Sequence, residues 1–93
     1  MALLFPPNPS QVVLQLAATG GTVASATVRV SWIVAGSEVA VLTTVSLTQV
    51  GTSGVWRYVW TPGSLAAGNY VALYTTLSAA GQTVVTTEDI YVN

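Results

Sequence analysis

Ala24-Ser25-Ala26-Thr27-Val28-Arg29-Val30-Ser31-Trp32-Ile33-Val34 is the stretch that decides the fold. Ala24, Ala26, Val28, Val30, Trp32 and Val34 share one parity; Ser25, Thr27, Arg29 and Ser31 share the other. Successive side chains of a strand point to opposite faces, so this is a strand with one face on a core and one toward solvent. The same period runs outward in both directions. On the N-terminal side, Gln11–Ala18 places Val12, Leu14 and Leu16 on one face, with Gln11, Val13 and Gln15 on the other. On the C-terminal side, a turn at Ala35-Gly36-Ser37 leads into Glu38–Val50, where Val39, Val41, Val45 and Leu47 share a parity as one bent strand or two short ones. A turn at Gly51–Gly54 precedes Val55–Thr61, which carries Trp56, Tyr58 and Trp60 on one face. Asn69–Ala79 and Gln82–Val92 read as the last two strands, joined by Ala80-Gly81. No helical period is visible, and short strands spaced by Gly-rich turns predict an antiparallel sandwich of about seven strands.

The strongest local signal lies between two of these strands, in Trp60-Thr61-Pro62-Gly63-Ser64-Leu65-Ala66-Ala67-Gly68-Asn69-Tyr70. Pro62-Gly63 turns the chain, Leu65 plugs the bottom of the sandwich, Gly68 permits a tight turn, and Tyr70 opens the next strand. The start of the chain differs in kind. Residues 1–10 contain Pro6, Pro7 and Pro9 and read as an extended N-terminal arm, because proline blocks helix and disfavours central-strand pairing. Residues 11–93 are then the single sandwich domain.

Composition excludes most chemistry. The 93 residues contain no His, no Cys and no Lys, and the charged residues are Arg29, Glu38, Arg57, Glu88 and Asp89 alone. Acid–base catalysis, nucleophile activation and transition-metal ligation draw on side chains that are nearly absent, so an enzyme and a bound cofactor are both rejected. Without Cys no disulfide framework exists, and the core must carry the stability. A formal net charge of −1 with two Arg offers no basic patch for nucleic acid or for a charged membrane surface. The chain is 52% apolar, yet no run approaches the roughly 18 residues that would span a bilayer. The start lacks a basic region and is broken by proline, so no signal peptide is expected. Soluble domains average about 25% charged residues; at 5% this chain suits life inside an assembly better than life as a dilute monomer.

The corner at Leu65, Gly68 and Tyr70 resembles the one between the fifth and sixth strands of immunoglobulin-like and fibronectin-III-like domains. There a Tyr bonds its hydroxyl back to the corner backbone, and an aromatic such as Trp32 commonly lies inward. Ala72 stands where the second Cys of an antibody-type domain would be, so the likeness is to Cys-free modules. The chain is similar to the small immunoglobulin-like proteins of tailed bacteriophage particles. It starts at Met1, shows no export signal and closes on the strand Thr87–Asn93. The resemblance implies a virion structural protein, made in the host cytoplasm, whose partners are capsid or tail subunits or further copies of itself.

Three features invite a site. Glu88-Asp89 is the only acidic pair, but a Ca²⁺ site takes six or more oxygens and neighbouring strand residues point apart; a solvated or arginine-paired role is expected. Trp56, Tyr58 and Trp60 could stack on sugar rings, the basis of an alternative reading as an adhesion or carbohydrate-binding module; the simpler expectation is a core stripe against Trp32 and Tyr74. In the strand after the corner, Tyr70, Ala72 and Tyr74 would point inward. Val71, Leu73, Thr75 and Leu77 would then point outward, an apolar row that marks a partner site. Leu3, Leu4, Phe5, Pro6 and Pro7 of the arm join Val71, Leu73 and Leu77 as candidate partner-binding residues. Trp32, Leu65, Gly68 and Tyr70 are the structural ones.

Overall fold

The computed structural model describes residues 2–5, 11–17, 23–51 and 54–92, the first four as backbone. Eight strands occur among them: β1 (Ala2–Phe5), β2 (Val12–Ala17), β3 (Val23–Val34), β4 (Ser37–Ser46), β5 (Thr48–Gln49), β6 (Val55–Trp60), β7 (Gly68–Ser78) and β8 (Thr83–Val92). They form a five-stranded sheet in the order β1-β8-β7-β3-β4 and a three-stranded sheet in the order β2-β6-β5. Seven strands pair antiparallel; β1 alone adds in parallel, to the edge of β8. The two sheets face each other as a β-sandwich, with β3, β7 and β8 on one side and β2, β6 and β5 on the other.

The alternating pattern holds along most of each strand; in β3, Ala24 of the inward set is exposed and Ser31 of the outward set is buried. Val12, Leu14, Val28, Val30, Tyr70, Ala72, Tyr74 and Ile90 are at most 1% exposed and fill the space between the sheets. Trp56 and Trp60 close the core from β6, and Leu65 plugs it from the corner. Burying large apolar side chains in this way contributes about 1.5–3 kcal/mol each. The corner forms as the sequence requires: the Tyr70 hydroxyl donates to the Ala66 carbonyl at 2.6 Å. Gly63 turns at φ +79°. Gly68 opens β7 at φ +136°, and a Cβ there would stand 3.0 Å from the Trp32 indole nitrogen. So glycine serves here for both backbone freedom and close approach of an aromatic.

Three expectations need correction. Trp32 packs against the core, as its parity predicts, but does not lie deep within it. It is half-buried at the corner end of β3, opposite Tyr70 in register, and stacks on that ring at 6.3 Å between centroids and 22° between planes. The parity assigned to Glu38–Val50 holds for Val41, Val45 and Leu47, which pack in or against the core, and fails at Val39. Register shifts in the β3–β4 ladder between Val28 and Val30, and between Val30 and Ser31, set Leu42 opposite Val30 and leave Val39 exposed opposite Trp32. Each added residue reverses the facing of the residues beyond it. The chain then leaves the large sheet at Leu47, which is buried and donates its N–H to the Ala26 carbonyl, and pairs as β5 in the small one. Finally, the arm is not wholly separate from the sandwich: Leu3, Leu4 and Phe5 lie opposite Ile90, Tyr91 and Val92. Pro6 and Pro7 lie outside the described residues.

Candidate docking face

The outer face of the five-stranded sheet is a grid that register defines. Val71 lies between Ser31 and Asp89, Leu73 between Arg29 and Thr87, Thr75 between Thr27 and Val85, and Leu77 between Ser25 and Thr83. Val71 and Leu73 are half-buried by these neighbours; Leu77 is exposed. The expected outward row is therefore present. Sequence reading missed three apolar residues that widen it: Ile33, Val85 and Tyr91. Val85 is 56% exposed and Tyr91 38%. Their parity was visible in β3 and β8, but their placement beside the β7 row depends on pairings that only the folded sheet supplies.

The charges on this face are few and of both signs. Arg29 stands near its middle, with Asp89 on β8 and Glu38 on β4 toward one end. Threonine and serine fill most remaining positions. Such a surface offers an apolar row, interrupted at Thr75, and no strong field.

Apolar side chains are also exposed elsewhere, among them Val13 and Val59, which are register partners on the outer face of the small sheet. Trp56, Tyr58 and Trp60 face the core, with both tryptophans buried, so the stripe does not form an exposed sugar platform. Glu88 and Asp89 point to opposite faces, as expected. Glu88 accepts a hydrogen bond from the Tyr74 hydroxyl at 3.1 Å, rather than one from an arginine; Asp89 is exposed. Burial first, and then the neighbouring Glu88 carboxylate, holds the Tyr74 hydroxyl well above the ordinary tyrosine range, while a backbone hydrogen bond at Gln15 acts in the opposite direction. Burial likewise raises Tyr70, partly offset by its bond to Ala66. Arg57 is held on the outer face of the small sheet by two hydrogen bonds to the Gln15 Oε1, at 3.2 and 3.0 Å. Among the described residues no group of three His, Cys, Asp or Glu side chains is arranged to hold a metal ion. Nor do they form a helix long and apolar enough to cross a membrane.

Some sheet edges are blunted against strand addition, whereas β2 and the Thr83–Glu88 part of β8 are open among the described residues. Irregular register interrupts β4, β5 is two residues long, and β1 covers β8 from Asp89 to Val92. The outer face of the large sheet has no such cover among the described residues. Known protein families, curated proteins and solved structures yield no match to this chain.

Proposed function

We propose that this is a non-enzymatic structural protein that docks on a protein lattice through the outer face of its five-stranded sheet. The setting is a phage-type virion, as a capsid decoration or cement protein or as a tail component. One observation carries the reading: Leu77, Val85 and Tyr91 are exposed on this face, with Val71, Leu73 and Ile33 half-buried on the same side. Exposed apolar side chains gathered on one sheet face mark a protein partner. The size is adequate. Four strands about 4.8 Å apart and ten residues long at about 3.3 Å each make a face of about 600 Å². Two such faces in contact bury about 1,200 Å², the lower end of specific interfaces. Mixed, sparse charge supports a partner bound by apolar and backbone contacts rather than by a field. The virion setting rests on the resemblance carried by the Leu65–Tyr70 corner and on the near absence of charge.

Sedimentation of the protein with particles that lack it tests the reading. Wild type should co-sediment in high and low salt alike, since few charges exist to be screened. Leu73→Glu combined with Leu77→Glu should stay in the supernatant while remaining folded. Undiminished binding by that variant overturns the reading.

A further inference from the structure

We propose that β1 exchanges between copies of this chain. Ala2–Phe5 of one copy would add in parallel to the Asp89–Val92 edge of a second copy, in the register seen within one chain. β1 is a short edge strand. It is four residues long, and among the described residues its one neighbour is β8. Terminal strands paired on one side open at the low end of a protein's stability range. A second copy presents the same β8 edge, so the intermolecular pairing reproduces the intramolecular one bond for bond. The connection to β2 runs through residues 6–10, which include Pro6, Pro7 and Pro9. Fixed φ and missing donors favour extended polyproline conformers in such a sequence, which project a strand outward better than they fold it back. A formal net charge of −1 sets up little repulsion between copies.

A copy that gives away its β1 bares its own β8 edge from Asp89 to Val92. Reciprocal exchange fills both edges and closes a pair, whereas one-way exchange runs on as an open chain. The exposed edge left by one-way exchange favours the closed form. This inference stands on the β1–β8 register and not on docking through the outer face. Either can fail without the other, and cysteine pairing between β1 and β8 reads β1 alone.

Leu4 and Tyr91 are register partners, and the chain has no Cys of its own. Neighbouring strands lie about 4.8 Å apart, within the Cα separation a disulfide bridges. Leu4→Cys carrying an affinity tag and untagged Tyr91→Cys are purified separately, mixed, equilibrated and oxidised. Exchange predicts a mixed disulfide about tenfold more abundant than either same-variant dimer, because pairing holds the two thiols at high effective concentration. A mixed product no more abundant than the same-variant dimers overturns the proposal. The double variant Leu4→Cys/Tyr91→Cys supplies a second readout in one chain. Exchange predicts a covalent dimer fraction that rises with protein concentration before oxidation. An intrachain disulfide in monomers at every concentration overturns it.

Discussion

The two faces of β7 are built from similarly apolar residues and have opposite fates. Tyr70, Ala72 and Tyr74 are at most 1% exposed, sealed beneath the three-stranded sheet. Val71, Leu73 and Leu77 alternate with them along the same backbone, and the domain covers them only with strand neighbours. Local propensity is the same on both sides, since one strand supplies both. What differs is the partner: the inner face has one within the chain, and the outer face has none among the described residues. The inner row should therefore govern stability and the outer row association.

The largest effect should come from removing an inner anchor. Tyr74→Ala is expected to cost about 3–5 kcal/mol, as for other large buried aromatics, enough to unfold many small domains. A denaturant titration measures it, and near-native stability would erase the contrast between the faces. Trp32→Ala should cost less than Tyr74→Ala, because Trp32 is half-buried and leans on Tyr70 from the corner end.

Next comes the corner. Tyr70→Phe removes the donor to the Ala66 carbonyl and should cost about 1–3 kcal/mol without unfolding the domain. An unchanged denaturant midpoint would mean that the 2.6 Å bond contributes nothing to the corner.

A smaller effect should appear in alkali. The hydroxyls of Tyr70 and Tyr74 hold their protons more tightly in the folded state than an ordinary tyrosine does. Below pH about 10 both folded and unfolded chains keep these protons, and the contribution is fully present. As pH rises past about 10 the unfolded tyrosines ionise first, the folded state retains more protons, and stability falls. Tyr74→Phe should flatten that decline. An equally steep decline in the variant would exclude Tyr74 as its source.

The range of each interaction decides how far it could be read from sequence. Facing in β3, β6 and β7 could be read directly, because period-2 alternation is local and one face is buried. The Leu65–Gly68–Tyr70 corner could also be read, because its turn, plug and hydroxyl bond lie within about ten residues. Facing in β4 could be read only in part: Val41 and Val45 pack against the core as their parity predicts. Val39 and Leu42 are placed by irregularities in the pairing with β3, and those have no local signature. The switch of sheets at Leu47 was ambiguous for the same reason. The parallel pairing of β1 joins residues at opposite ends of the chain, where only the arm's extended character was visible. The candidate docking face was half legible: parity gave the β7 row, whereas Ile33, Val85 and Tyr91 joined it only through strand order.

The smallest stability effect should fall on the outer row, and there the claim about function is most exposed. Leu73→Glu with Leu77→Glu adds charge to a solvent-facing row beside Arg29, so the unfolding free energy should change by less than about 1 kcal/mol. The decisive measurement pairs that free energy with co-sedimentation of the same variant on particles lacking the protein. The account predicts a folded domain that no longer binds. A folded variant that binds as wild type does would contradict it.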